Sequence, residues 1–377
     1  MNIKKMLALV LSGMLMLSLA ACGGEDANNI VIGGLAPLTG DVAVYGVAAK
    51  NGAELAFKEI NDAGGIGGKK IVFKVLDEKG EVNEAVNSYE NLKSQKIVAL
   101  LGDVTSKPTM AVAQIAAEDR MPMITATATA EAVTTYGDNI FRVCFLDPYQ
   151  GQTMAQFAAQ NLQAKKAAII YNNADDYSTG VAEAFEKAAK EKGMEVVAKE
   201  SYGADDKLFK SQLTKIAAQN PDVLFIPDYY SRVALIASQA KEVGITATLL
   251  GADGWDGIFN DPNVDASTVE GAYFCNHYST EDEAKEVQDF IKAYSEAYGQ
   301  QPNSFAALGY DAAKILAKAI EKAGSNDKEA IIKALQETEY DGVTGHIKFK
   351  NGNPIKSVSI IKIVNGQYTL DSKITAE

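Results

Sequence analysis

Two consecutive strand–loop–helix patterns occupy residues 97–133, and this repeat constrains the fold more than any other stretch. The apolar runs Ile97–Leu101 and Met121–Thr125 are predicted strands, and Met110–Glu118 has helical periodicity. We expect a further helix after the turn at Ala126–Thr129. Strands that alternate with helices in this way pair in parallel, and their helices pack on the faces of the sheet.

The same alternation of strand and helix patterns extends over most of the chain. Further predicted strands are Ile30–Leu35, Ile71–Leu76, Ala167–Tyr171, Glu195–Lys199, Val223–Ile226 and Thr248–Leu250. Predicted helices are Val47–Asn61, Asn83–Gln95, Tyr149–Asn161, Thr179–Lys192, Leu208–Gln219, Arg232–Val243, Asp282–Tyr298, Phe305–Ala323 and Lys328–Gln336. Two late β-rich segments are Gly345–Lys350 and Ser357–Val364.

The length of the chain favours two lobes, because about 350 residues exceed what a single hydrophobic core usually supports. The alternation restarts near Tyr149, and extended stretches near Cys144 and Cys275, with a third crossing near Lys356, would carry the chain between lobes. We therefore predict an α/β protein with two doubly wound parallel-sheet lobes joined by a three-stranded hinge. The predicted boundaries are 30–144 and 278–356 for the first lobe, and 145–277 and 357–377 for the second.

The first 21 residues have the features of a secretory signal peptide. Lys4 and Lys5 precede an apolar run that is too short to span a membrane. The sequence LAAC, which ends at Cys22, resembles the bacterial lipobox, in which the cysteine becomes the lipid-modified N-terminus after cleavage. We predict a lipid on Cys22, a polar tether over residues 22–29, and a protein that touches the membrane through this anchor only.

Composition excludes several classes of partner and site. The chain has 36 basic and 49 acidic residues, a net charge of −13, which disfavours binding to nucleic acid. Apart from Cys22, only Cys144 and Cys275 could form a disulfide, and the sequence leaves open whether they are bridged or free. His277 and His346 are isolated in the sequence, so we predict neither a metal site nor a cofactor.

Polar side chains follow several predicted strands at the point where each strand ends. Ser106 and Thr129 lie in the two turns of the repeat, where each could either cap a helix or help bind an anion. Asp253 follows the strand Thr248–Leu250 of the second lobe. Because open α/β sheets bind ligands at the carboxyl ends of their strands, an anion hole could face a carboxylate across the cleft. This arrangement suits a zwitterion.

Motifs spread in order along the chain resemble those of the branched-chain amino-acid-binding proteins, the type I solute-binding proteins of ABC importers. The first is IGGLAPLTGDVAVYGVAAKNGAELAFKEINDAGGIGGKKI. The others are GDVTSKPT, MITATATAEAVT, AIIYNNADDYSTGVAEAF, DVLFIPDYYSRVALI, LLGADGWDG and QPNSFAALGYDAAKIL. The resemblance implies the two-lobed fold described above and a site for an amino acid between the lobes.

Carried over position by position, the resemblance implies that four residues bind the charged groups of the ligand. It implies that Ser106, with backbone N–H groups of its loop and of Thr129, takes the α-carboxylate. The Thr127 carbonyl and the Thr129 hydroxyl would meet the α-ammonium, and Asp253 would supply its counter-charge. Leucine-binding relatives often have Glu where this chain has Asp253, so the shorter side chain must reach the ammonium from nearer.

Aromatic residues would enclose the rest of the ligand. The resemblance implies that Tyr45 packs on it from the first lobe and that Tyr177 and Tyr229 close over it from the second. Phe305 would form the wall of the side-chain pocket. Trp255, the only tryptophan, is equally consistent with a cleft wall and with a core residue, and we include it among the candidate ligand-binding residues.

The function that the resemblance implies is capture of Leu, Ile or Val by a monomer that delivers it to ABC permease subunits. Two alternatives remain on the same fold, a receptor for another amino acid or amide and a ligand sensor. An enzyme is disfavoured, because the sequence has no Gly-x-Ser-x-Gly elbow, Cys/His pair or metal constellation.

Overall fold

The computed structural model describes residues 29–260 and 264–374, so the predicted leader and Cys22 lie outside the described residues. The strands are β1 Asn29–Ala36, β2 Lys70–Asp77, β3 Ala99–Leu101, β4 Met123–Thr125, β5 Ile140–Arg142, β6 Lys166–Asn172, β7 Glu195–Tyr202, β8 Val223–Phe225, β9 Thr248–Gly251, β10 Tyr273–Asn276, β11 Glu339–Gly342, β12 Gly345–Lys350, β13 Asn353–Pro354, β14 Val358–Val364 and β15 Gln367–Ile374. The first strand includes Asn29, which the sequence interpretation had assigned to the tether.

The helices follow the predicted positions closely, with ends that differ by a few residues. They are α1 Ala43–Asp62, α2 Val82–Ser94, α3 Ser106–Glu118, α4 Asp147–Gln160, α5 Asp176–Glu191, α6 Lys210–Ala217, α7 Tyr230–Glu242, α8 Lys285–Tyr298, α9 Ser304–Ala323 and α10 Lys328–Gln336. Within the described residues, no helix has the length and apolar character needed to cross a bilayer.

Two separate sheets confirm the two-lobed α/β fold. The first has the order β2-β1-β3-β4-β5 with every pairing parallel, which is a doubly wound arrangement. The second has the order β15-β14-β10-β9-β8-β6-β7 and is parallel from β7 to β10. We call these sheets, with the helices packed on them, the first and second lobes.

The second sheet differs from the prediction at one edge, where β14 and β15 are antiparallel. Val364 pairs with Gln367, so a two-residue turn of Asn365 and Gly366 joins the strands. Both turn residues have positive φ, 53° and 69°, as a tight hairpin of this kind requires. Strands joined by so short a turn can only run antiparallel. A small antiparallel sheet, β11-β12-β13, was only partly predicted.

The late helix α9 returns to the first lobe and packs along α1. Leu308, Ile315 and Leu316 of α9 share a buried cluster with Ile32 and Phe57. The predicted chain crossings also place this helix on the first lobe. The exact domain boundaries stay a prediction.

The α-helix predicted after Ala126–Thr129 is wrong, since only a 3-10 helix, Glu131–Thr135, is present there. Side chains satisfy the backbone of this loop instead. The Thr125 hydroxyl accepts a hydrogen bond from Ala128 N at 3.1 Å, and the Arg142 guanidinium donates to the carbonyls of Ala128 and Ala130. A loop held in this way does not need helical hydrogen bonds.

Candidate functional site

A small cavity lies where the carboxyl ends of the strands of the two lobes face each other. Its lining residues are Tyr45, Val104, Thr105, Ser106, Thr127, Thr129, Tyr177, Tyr229, Asp253, Gly254 and Phe305. Eight of the nine ligand-binding residues predicted from the sequence are among them. The cavity has a volume of about 10 Å³, roughly the space of one water molecule. An amino acid could therefore enter only if the lobes move apart.

Tyr45 of α1 joins the two lobes directly. Its ring stacks on Phe305 with centroids 4.0 Å apart and an interplanar angle of 14°. Its hydroxyl donates to the Gly254 carbonyl and accepts from Tyr230 N at 2.9 Å, and both partners belong to the second lobe. Burial raises the pKa of Tyr45 well above its ordinary value, so the hydroxyl stays protonated and able to donate.

Hydroxyl groups and a helix start form the side of the site in the first lobe. Ser106 is the first residue of α3 and does not cap it; its Oγ instead accepts from Ala130 N at 3.2 Å. The hydroxyl proton of Ser106 is therefore free to turn toward a ligand. The first backbone N–H groups of α3 have no partner within the helix, and its N-cap, Thr105, makes no side-chain capping bond. This side is suited to an anion.

The loop that contains Thr127 and Thr129 is fixed by its own hydrogen bonds. The Thr127 hydroxyl donates to the Val104 carbonyl at 2.6 Å, and the Thr129 carbonyl accepts from Asp147 N at 3.1 Å. No α-helix follows Thr129, so the predicted second helix start does not contribute to an anion site. Thr129 remains in the lining, where its hydroxyl is the group available for chemistry.

Asp253 supplies the negative charge on the side of the second lobe. Its Oδ1 accepts a hydrogen bond from the Tyr177 hydroxyl at 2.8 Å, and its Oδ2 lies 3.0 Å from His277 Nε2. The ring of Tyr177 stacks on that of Tyr229 at 5.0 Å with an interplanar angle of 8°. A carboxylate held from two sides in this way has a fixed orientation toward the cleft.

His277 was not among the predicted site residues, because it is isolated in the sequence. The imidazole is buried and stacks on Phe145, with ring centroids 3.7 Å apart. Burial lowers the pKa of His277, and Asp253 partly opposes that effect, so the ring is neutral at neutral pH. The position of His277 in the sequence could have indicated its role, because it follows β10 and Asp253 follows the neighbouring parallel strand β9.

Asp147 and Gln150 of α4 were also missed, and they connect the two sides of the site. Gln150 accepts from Asp253 N at 3.0 Å through Oε1 and donates to Asp147 Oδ1 at 3.2 Å through Nε2. Burial raises the pKa of Asp147 well above its ordinary value; the neighbouring Thr129 side chain opposes this effect, and the charge of nearby Asp253 adds to it. The Thr129 carbonyl accepts from Asp147 N, so buried hydrogen bonds run from Thr129 through Asp147 and Gln150 to Asp253.

Trp255 does not line the cavity, which corrects its inclusion among the predicted ligand-binding residues. It is fully buried, and its indole N–H donates to the Ile226 carbonyl at 2.8 Å. Its backbone N–H donates to the Ala252 carbonyl in the short 3-10 helix Asp253–Trp255, and its side chain belongs to a buried hydrophobic cluster.

Once the lobes move apart, the arrangement suits a small zwitterion. Donors for an anion and an acceptor for a cation face each other, and aromatic rings lie between them. Among the described residues, no group of three or more His, Cys, Asp or Glu side chains could hold a metal ion. Cys144 and Cys275 are buried free thiols, and burial raises the pKa of each, which disfavours their reactive thiolate form.

Comparison with known proteins gives one family over nearly the whole chain. A family model described as periplasmic binding protein matches residues 29–367. A Leu/Ile/Val-binding protein homologue from Brucella melitensis is 32% identical over 315 residues, which cover 82% of this chain and 83% of that protein.

Two solved structures share both sequence and fold with this chain. A leucine-binding protein from Thermotoga maritima has a TM-score of 0.86 and 32% identity, and the match covers 92% of this chain and 99% of that one. A branched-chain amino acid transporter substrate-binding protein from Streptococcus pneumoniae, solved in complex with isoleucine, has a TM-score of 0.87 and 32% identity. That match covers 93% of this chain and 100% of the other.

Proposed function

The chain belongs to the periplasmic binding protein family, and we propose that it captures leucine, isoleucine or valine outside the cytoplasm and delivers it to the permease of an ABC transporter. One observation carries the proposal. Donors for an anion on the first lobe and the carboxylate of Asp253 on the second line a single cavity. The relatives with known ligands, one named as leucine-binding and one solved with isoleucine, support the ligand class.

The charged groups of the amino acid bind on opposite sides of the cleft in this proposal. The α-carboxylate accepts hydrogen bonds from the Ser106 hydroxyl and from the backbone N–H groups at the start of α3. The α-ammonium donates to Asp253, to the Thr127 carbonyl and to the Thr129 hydroxyl. Each hydrogen bond to a charged group contributes about 1.5–3 kcal/mol.

The aliphatic side chain lies against Tyr45, Phe305 and the stacked pair Tyr177 and Tyr229. Asp253 is the only charged residue among the described lining residues, so the remaining surface favours an uncharged ligand side chain. Burial of an aliphatic side chain contributes about 1.5–3 kcal/mol. Together with the polar contacts and after the ordering costs, this reaches roughly the −8 kcal/mol of micromolar binding.

The known members named above are binding proteins, and we propose binding without catalysis for this chain too. The lining offers a carboxylate and hydroxyls, and the neutral imidazole of His277 lies behind Asp253 and does not line the cavity. None of the described cysteines lines it. The Asp253–His277 pair is thereby engaged in holding a cation rather than in activating a nucleophile.

A thermal-shift screen with the twenty amino acids tests the proposal. A ligand that binds the folded state raises the melting temperature by mass action, by an amount that grows with ligand concentration. We expect the largest shifts from leucine, isoleucine and valine. A shift from a polar amino acid or an amide alone would overturn the branched-chain assignment. If none of the twenty amino acids raises the melting temperature, the proposed function is overturned.

We also propose that a lipid on Cys22 retains the protein at the cell surface. The support is the LAAC sequence that ends at Cys22, in a part of the chain outside the described residues. Replacement of Cys22 by Ser should release the protein into the medium, as measured by immunoblotting of cells and supernatant. Wild-type protein with an unmodified Cys22 by mass spectrometry would contradict the anchor.

A further inference from the structure

His277 lies on the second crossing between the lobes, directly behind the carboxylate of the site. Its Nε2 is 3.0 Å from Asp253 Oδ2, and its ring stacks on Phe145, which belongs to the first crossing. The side chain is completely buried, so it cannot itself reach a ligand in the cleft, and it does not line the cavity.

The tautomer of His277 follows from its surroundings. Nδ1 is buried and has no hydrogen-bond partner in the described part of the chain, whereas Nε2 faces a carboxylate oxygen. A neutral imidazole with its proton on Nε2 donates to Asp253, and the opposite tautomer would set two acceptors against each other. A buried imidazole costs free energy compared with an apolar side chain, and this single hydrogen bond is the contact that offsets the cost.

Asp253 thereby accepts from two protein donors at once. The Tyr177 hydroxyl binds Oδ1 and His277 binds Oδ2, so the plane of the carboxylate is fixed. The Phe145 ring stacked on the imidazole at an angle of 21° fixes the donor in turn. These contacts hold the Asp253 carboxylate in one orientation, with its remaining lone pairs directed toward the cleft.

We propose that His277 is a positioning residue for the α-ammonium of the ligand, acting through Asp253, an inference that rests on the proposed function. Loss of the Nε2 donor lets the Asp253 carboxylate rotate. Ligand binding then weakens although the groups that contact the ligand are unchanged. The effect is specific to the ammonium end of the site and does not depend on the side chain of the amino acid.

Two amide substitutions separate the donor from the bulk of the ring. The Nε2 group of His277→Gln lies close to the position of the imidazole Nε2 and can donate to Asp253. The amide of His277→Asn lies near the position of Nδ1 and cannot reach it. We expect His277→Asn to weaken leucine binding about tenfold or more, and His277→Gln to recover most of the loss. The melting temperature of each variant without ligand measures any purely structural effect.

A double-mutant cycle with Asp253→Asn tests whether His277 acts through Asp253. With Asp253→Asn already present, we expect His277→Asn to cause no further loss of leucine affinity by calorimetric titration. The inference is overturned if the fold-loss of leucine affinity in the double variant equals the product of the losses in the two single variants. It is also overturned if His277→Asn alone binds leucine as wild type does. Failure of wild type to bind any amino acid would instead overturn the proposed function.

Discussion

Phe305 and Leu308 lie one helical turn apart on α9, but only Phe305 lines the cleft. Leu308 is fully buried in the core of the first lobe. We expect Phe305→Ala to weaken the binding of leucine and isoleucine by about 1–3 kcal/mol. Binding of alanine should weaken by less, because the small alanine side chain does not reach the position of the lost ring. Calorimetric titration with the three amino acids measures the change.

Leu308→Ala is the matched control for this prediction. It should lower the stability by about 2–5 kcal/mol, as core truncations do, and leave the ratio of leucine to alanine affinity unchanged. An unchanged ratio in Phe305→Ala would show that Phe305 is not the wall of the side-chain pocket.

The residues of the site differ in how far the sequence could locate them. Ser106, Thr129 and Asp253 follow predicted strands, and strand ends meet at one edge of a parallel sheet whatever the rest of the fold. The role of His277 depends on the side-by-side packing of β9 and β10, which local pattern does not encode. Trp255 failed for the same reason, since its backbone position near Asp253 does not determine which way the indole turns.

The packing of α1 against α9 depends on a glycine in each helix that faces the backbone of the other helix. A Cβ at Gly309 would overlap the Ala49 carbonyl, and one at Gly52 would overlap that of Ala306. We expect Gly309→Ala and Gly52→Ala each to destabilise the protein by about 1–3 kcal/mol or more, because neither backbone can yield locally. Chemical denaturation measures the free energy of unfolding.

Gly180, in α5, provides the control for these two glycines. A Cβ there meets nothing nearer than 3.4 Å. Gly180→Ala should therefore be neutral or stabilise the protein by up to about 1 kcal/mol through helix propensity. Equal losses at Gly180 and Gly309 would contradict the view that close approach of α1 and α9 sets the requirement.

Helices and strands with a clear hydrophobic periodicity were predicted well. Segments whose conformation depends on tertiary contacts were not. Val82–Ser94 and Lys328–Gln336 have apolar faces that identify a helix before any fold is known. The loop after Ala126 has the composition of a helix, yet Arg142 from β5 holds its carbonyls in another conformation. No residue of the edge strand β15 is buried, and its sequence is mostly polar, so the hydrophobic pattern gave no signal for a strand there.

At the scale of the whole molecule, the two lobes meet through contacts that would have to break for a ligand to enter. Tyr45 bonds Tyr230 and Gly254, and Lys107 Nζ donates to the Ala174 carbonyl at 3.0 Å. Hinge closure around a ligand is the expected motion, because the proposed contacts are divided between the lobes.

Small-angle X-ray scattering should therefore show a smaller radius of gyration with leucine than without it. Asp253→Asn at the same leucine concentration is the control, and its radius should stay near the ligand-free value. No change for wild type at saturation would rule out hinge closure as the mode of capture.

If Asp253 faces the ammonium of an amino acid whose carboxylate lies at Ser106, loss of the Asp253 charge must weaken binding of that amino acid. Calorimetric titration of leucine into wild type, Asp253→Asn and the exposed control Asp176→Asn tests it most directly. We expect binding near the micromolar range for wild type and for Asp176→Asn. For Asp253→Asn we expect a loss of about 2–5 kcal/mol of binding free energy, with each protein still folded. Leucine affinity equal to wild type in Asp253→Asn would contradict it.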